Sequence, residues 1–188
     1  APRVLRRKGH KCLVCMGYAC VYKSACGSEV ELHPLHGNAE LSENILAASI
    51  LADHGHDIQL LPTFPEAESK ARQIWLPDVA HRKNPDIRID NRTIGDIKTP
   101  NPEVLVKQST INHCIYSCAQ QKVAVAVINL LNREYAIQDV KKGIIGALQP
   151  ARNKSIRSVW VKTAGRNLFK AERGMIFNET LYEHLMLL

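Results

Sequence analysis

The run KVAVAVINLL, Lys122 to Leu131, constrains this chain more than any other segment. It is almost continuously apolar and rich in β-branched residues. A strand with one wet face alternates apolar and polar side chains. A run without that alternation is expected of a strand covered on both faces. The run is far shorter than the roughly 20 apolar residues of a membrane span, and no other segment approaches that length. The expectation is a central sheet with helices packed against it.

The neighbouring segments supply those partners. GNAELSENILAASILADHGH predicts a helix. Asn38 is suited to cap it, Glu40 favours its first turn, and Leu41, Ile45, Ala48 and Ala52 form one stripe. Gly55 suits the position just past its end. DIQLLP predicts a strand stopped by Pro62. Thr63 to Lys83 is polar and contains either a short helix around Glu66 to Ile74 or a loop. DIRI and TIGDIK alternate around DNR and predict a hairpin. A second helix is expected from Val104 to Gln121, with Ile111, Ile115 and Cys118 on one face. VKKGIIGALQ predicts a third, weakened by Gly143 and Gly146. SIRSVWVKT gives a last strand, and NLFKA can add an edge. The order is helix, strand, hairpin, helix, strand, helix, strand. That is an α+β fold with a central mixed β-sheet packed with helices. Residues 1–30 read as a basic, Cys-rich lead-in, and residues 31–188 as the domain itself.

Four of six cysteines fall in the lead-in. Cys12, Cys15, Cys20 and Cys26 are spaced C-x2-C-x4-C-x5-C. Such a set can hold a structural Zn²⁺, pair as two disulfides outside the cytosol, or remain as thiols. Cys114 and Cys118 lie one helical turn apart and are expected to line the core as small apolar groups. The opening APRVLRRKGHK is basic but leads into no apolar core, so no secretory signal is expected. The chain carries 25 Lys+Arg against 18 Asp+Glu. A field of that sign favours polyanions, nucleic acid among them, without defining a fold. Basic residues gather at Arg3 to Lys11, His81 to Lys83 and Lys141 to Arg173.

NPDIRIDNRTIGDIKTP, Asn84 to Pro100, concentrates the chemistry. A hairpin would bring Asp86, Asp96 and Lys98 together. Two carboxylates can hold Mg²⁺, which keeps its other positions for water and substrate phosphate. Lys98 shares a strand face with Asp96 and can orient water or stabilise developing charge. Near a strand end, its head group is expected to be exposed. Glu43 and Gln121 could border the same spot. Each residue also has a plainer role: Asp86 and Arg88 as an ion pair, Lys98 as an edge guard, Gln121 as a helix cap, Glu43 as a solvated helix residue. His33 and His36 are expected to be solvated in a loop, and Trp75 and Trp160 to be packing anchors.

Glu43, Pro85-Asp86, Asp96-Ile97-Lys98 and Gln121 together resemble the PD-(D/E)XK nuclease signature, over about Ala39 to Leu130. The nine-residue spacer between the aspartates is near the short end for that signature. A second resemblance runs from His33 to Arg173. HPLHGNAELSENILAASILADHGHDIQLLP, KNPDIRIDNRTIGDIKTP and INHCIYSCAQQKVAVAVINL are similar to nuclease domains of contact-dependent inhibition toxins. They are also similar to domains of phage head-morphogenesis polypeptides, grouped with barnase/EndoU/RelE-like RNases. The first resemblance implies a Mg²⁺-dependent DNase. The second implies an endoribonuclease that often needs no metal, with Asp96, Lys98 and Thr99 as site candidates. It also implies RNA as partner, an immunity protein, and a cytoplasmic site of action. Arg88, Arg157, Lys162, Arg173 and His33 are basic candidates from composition, the four Arg/Lys for substrate. A non-catalytic nucleic-acid-binding or virion-assembly module on the same fold is the alternative of another class.

Overall fold

A computed structural model describes residues 17–65, 69–178 and 180–188. One eight-stranded sheet organises them, its strands lying in sequence order. These are β1 (Ala19–Lys23), β2 (Glu29–Leu32), β3 (Ile58–Leu60), β4 (Ile87–Ile89), β5 (Thr93–Lys98), β6 (Val125–Asn129), β7 (Ser158–Lys162) and β8 (Leu168–Glu172). The helices are α1 (Leu41–Asp53), α2 (Ser69–Trp75), α3 (Gln108–Gln120), α4 (Ile137–Ala147), α5 (Gly174–Phe177) and α6 (Leu181–Leu185). The architecture is α+β, as the segment pattern predicts.

Each of the three parallel pairs has a helix between its strands: β2–β3 across α1, β5–β6 across α3, and β6–β7 across α4. The other pairs are antiparallel. The run at Lys122 to Leu131 forms β6, and all five of its residues are buried. Period two sends Val125 and Val127 to the α1 side, with Leu51, Ile87 and Ile97. Ala126 and Ile128 go to the α3–α4 side, with Ile111, Ile115 and Ile144. Cys114 and Cys118 are buried in that second layer, as expected of small apolar groups. Gly143 lets α4 approach α3: a Cβ there would lie 2.5 Å from Ile111 Cβ. That glycine weakens helix propensity but is required by the packing.

Several local expectations shift. α1 begins at Leu41 after Glu40, with no side-chain cap. Asn38 contributes only its carbonyl, to Leu41 N. α3 starts at Gln108, because Val104 to Val106 go instead to a turn and a bridge with Tyr135. β1 and the first two residues of β2 fall within residues 1–30, and both strands are hydrogen-bonded into the sheet. Among the described residues no helix is long and apolar enough to cross a membrane.

Candidate active site

The β4–β5 register places Ile87 opposite Gly95, which sets Asp86 opposite Asp96 on the face shared with α3. The carboxylates extend the ladder just before β4 begins. Asp86 N donates to Asp96 Oδ1 (3.2 Å), and Ile97 N donates to Asp86 Oδ2 (2.9 Å). Lys98 Nζ lies 2.7 Å from Asp96 Oδ2 and 3.8 Å from Asp86 Oδ2, and it donates to Ile97 O (3.1 Å). The 2.7 Å contact is close in charge but poorly aligned as a hydrogen bond, so Asp96 Oδ2 is a buried oxygen without a well-directed donor. Side-chain exposure is 1% for Asp96 and 29% for Lys98. The lysine head is therefore only partly in solvent, against expectation, because the buried carboxylate holds it down.

Burial, then the charge of Asp86, pushes the Asp96 carboxyl up to about 7, against the pull of Lys98. Burial lowers the Lys98 ammonium, but Asp96 and then Asp86 outweigh it and hold it above its ordinary value. The net site is a cation facing two carboxylates, one of which titrates near neutrality.

Gln121 and Glu43 have defined structural partners. Gln121 caps the C-terminal end of α3, and its Oε1 accepts from Asn84 N (3.2 Å), holding the chain that leads into Pro85 and Asp86. Arg72 of α2 donates to Asn84 Oδ1 (2.7 Å) and to Lys83 O, gripping the same segment. Glu43 pairs with Arg133 (2.9 Å), which also donates to Pro100 O. Thr99 Oγ1 accepts from Asn129 Nδ2 (3.3 Å). Strand alternation places Asn129 with Val125 and Val127 on the α1 side, so Thr99 faces away from Lys98.

Three expected substrate cations are used internally. Arg88 grips Asp78 with Nε (2.9 Å) and Nη2 (2.5 Å), not Asp86. Arg173 donates to the carbonyls of Ile156, Leu148, Gln149 and Asn153. Lys162 is 1% exposed and donates to Thr163 O (2.7 Å). Arg157 is exposed. His33 and His36 are buried rather than solvated. His33 packs edge-on against Tyr18 and Trp75, and its Nδ1 accepts from Leu35 N. His36 Nδ1 donates to Leu61 O (2.6 Å), and its Nε2 accepts from Asn44 Nδ2. An HxxH pair before a helix carries no sequence mark distinguishing a packed role from a solvated one. Arg72, Asn84 and Arg133 likewise look like ordinary polar residues until the fold closes around them.

Cys12 and Cys15 lie outside the described residues. Cys20 and Cys26 are exposed free thiols, and the Cys26 thiol is lowered by hydrogen bonds from Ser24 and Ser28. Among the described residues no three His, Cys, Asp or Glu side chains gather to hold a metal. Two carboxylates with one under-donated buried oxygen nevertheless suit a Mg²⁺ ion completed by water and substrate phosphate. Asp86 and Asp96 are the pair that would hold it. A cleft of about 660 Å³ contains none of Asp86, Asp96 and Lys98.

No protein-family model matches the sequence, and no curated protein matches it. The fold is similar to a chain of the CdiA-CT/CdiI toxin and immunity complex from Burkholderia pseudomallei, with a TM-score of 0.50 and 17% identity. The match covers 74% of this chain and 91% of that one. At such identity the likeness is one of fold.

Proposed function

We propose that the protein is a nuclease, that RNA is its substrate, and that Asp86, Asp96 and Lys98 form its active site. The observation that carries this reading is the convergence of two carboxylates and one lysine at the ladder end, with a buried, under-donated Asp96 oxygen between them. The fold likeness to a chain of a toxin and immunity complex supports a toxin role with an immunity protein as partner; the cytoplasm as site of action rests on the sequence resemblance alone. RNA is favoured over DNA through the resemblance of the DIKTP region to toxin RNase domains.

A divalent ion on Asp86 and Asp96 would lower the pKa of an attacking water and neutralise phosphoryl charge. The chain's own residues do the rest. Lys98 Nζ neutralises charge that builds on the non-bridging phosphate oxygens. Without a metal, Asp96 titrates near 7 and is matched to taking a proton from a nucleophile at neutral pH. Gln121 and Arg72, acting through Asn84, keep Asp86 on the shared face. The same pKa favours a second reading, metal-free transesterification by the RNA 2′-OH. There Asp96 would be the base and Lys98 the electrostatic partner, with Thr99 outside the site.

Labelled RNA and its 2′-deoxy analogue, each with Mg²⁺ and with excess chelator, separate the readings. Cleavage of both substrates only with metal supports the first mechanism. Cleavage of RNA alone, in chelator, supports the second. Salt-sensitive binding without product under any condition would replace both with a non-catalytic nucleic-acid-binding module.

A further inference from the structure

The 660 Å³ cleft lies across the end of the sheet remote from Lys98. Its location follows from one row of backbone hydrogen bonds. Ala124 N donates to Ile94 O, Arg157 N to Ala124 O, and Arg173 N to Arg157 O. That row crosses β5, β6 and β7 where each strand begins. Lys98 stands at the opposite end of β5, roughly 13 Å from Ile94 at about 3.3 Å per residue.

Three exposed cations rim this cleft: Arg92 in the β4–β5 turn, Lys122 just after α3, and Arg157 just before β7. They lie in the segments that lead into β5, β6 and β7, neighbouring strands about 4.8 Å apart. Among the described residues, no side-chain hydrogen bond or ion pair occupies any of the three. The acids in the same lining are all engaged. Asp78 is gripped by Arg88. Asp90 accepts from His56 Nδ1 (2.9 Å) and Asp57 N (3.0 Å). Glu172 accepts from Ser158 Oγ (2.7 Å). Lys170 Nζ donates to His56 Nε2 (2.5 Å), which fixes the imidazole tautomer that serves Asp90. Counting Arg88 and Lys170 beside the lining, five cations stand against Asp78, Asp90 and Glu172, so the charge that meets a ligand is positive. Lys122 also holds a left-handed backbone, φ 61°, where glycine or asparagine is the ordinary occupant. A lysine kept there at conformational cost is a further pointer to use.

We propose that this cleft is a second nucleic-acid site, in which Arg92, Lys122 and Arg157 hold successive backbone phosphates of a single strand whose scissile bond lies at Lys98. The proposal rests on the nuclease reading for its substrate. Three cations of one sign along a groove track a phosphate backbone without reading sequence. Trp160 does not act as a stacking platform here, because it is buried beneath Lys170 (4.1 Å to the ring centroid). The site therefore contributes affinity and strand register rather than base preference.

The test measures binding of a labelled single-stranded RNA, long enough to span both ends of the sheet, to the Asp96→Asn protein in chelator. Against that background, Arg92→Gln, Lys122→Asn and Arg157→Gln are combined. Asparagine suits the left-handed position, and all three sites are exposed, so the fold is retained. The expected result is an affinity loss of at least about tenfold and a salt slope smaller by about 2, from roughly 0.7 per lost phosphate contact. A matched control, Lys107→Gln with Lys141→Gln and Lys142→Gln, removes the same charge from α3 and α4 and should lose far less. Equal losses in the two triple variants, or none in the first, would overturn the proposal. Cleft-dependent binding by a wild-type protein that never cleaves would end the nuclease reading and the placing of a scissile bond at Lys98, leaving the cleft as a phosphate-binding site alone. Cleavage with cleft-independent binding would do the reverse.

Discussion

Lys98 Nζ sits 2.7 Å from Asp96 Oδ2, yet that oxygen is buried without a well-directed donor. The pair is held together by charge more than by alignment. Asp86 faces the same ammonium from 3.8 Å. The three side chains make a site whose protonation, metal occupancy and stability are linked.

Lys98→Ala should lower cleavage by about 10²–10³, the usual loss when one donor to transition-state charge is removed. Its stability cost should depend on pH. Without the ammonium, Asp96 takes a proton more readily, so the variant should be close to wild type at pH 5.5 and clearly weaker at pH 8.5. Urea denaturation at both values checks this. A pH-independent cost would mean that Asp96 does not sense Lys98.

Metal-free wild-type protein should lose stability as pH rises from about 4 to about 7. The ordinary aspartate value is about 3.9, and the folded value is raised to about 7. Between them the folded state binds the extra proton, so stability falls with rising pH and levels off above 7. Asp96→Asn removes the titration. In chelator, its stability should drop less than that of wild type between pH 4.5 and pH 8. The same variant should lose Mg²⁺ binding by calorimetry if the two carboxylates hold the ion. A wild type and variant with parallel pH curves would show that Asp96 ionises normally.

Gly143→Ala tests the helix layer instead of the site. The added methyl would meet Ile111 Cβ at 2.5 Å and Gln108 O at 3.2 Å. Overpacking of this kind costs about 1–3 kcal/mol, although alanine is the better helix former by about 1 kcal/mol. The packing term is expected to win, giving a lower urea midpoint. A stabilised variant would mean that α3 and α4 separate readily.

Much of this arrangement was written in local pattern. The unbroken apolar run defined β6, and the short alternating runs around Asp90-Asn91-Arg92 defined the hairpin that brings Asp86 to Asp96. Period two then placed Lys98 beside Asp96. What pattern could not show is where a cation finds its partner. Arg88 was paired with Asp86 by sequence proximity and shares its strand face, but its guanidinium reaches instead to Asp78, just after α2. Lys162 and Arg173 resemble surface cations in composition, yet closure of β7 and β8 seals the first and surrounds the second with carbonyls. His33 and His36 are drawn inward by Leu35, Leu61 and Asn44, contacts set by tertiary packing. Burial of polar groups is a property of the whole fold, and single-sequence reasoning reaches it last.

Arg72 gives the sharpest test of how Asp86 is held. It is buried, and its guanidinium is satisfied by Asn84 Oδ1, Phe64 O and Lys83 O. Charge-assisted hydrogen bonds of this kind contribute about 1.5–3 kcal/mol each to a buried network when one partner is removed. Arg72→Met keeps most of the stem's apolar contact and removes the donors. It should destabilise the protein by about 2–4 kcal/mol in urea. At temperatures where the variant remains folded, kcat should fall about tenfold or more while KM changes little, because small displacements of a reacting group are costly in rate. Arg72→Lys, which keeps one donor and the charge, should recover part of both losses. Asn84→Ala should mimic Arg72→Met in rate, and combining the two should add little, since both act through the same segment. Full activity in folded Arg72→Met would show that Pro85 and the β4–β5 pairing alone position Asp86, and that Arg72 serves only the packing of α2.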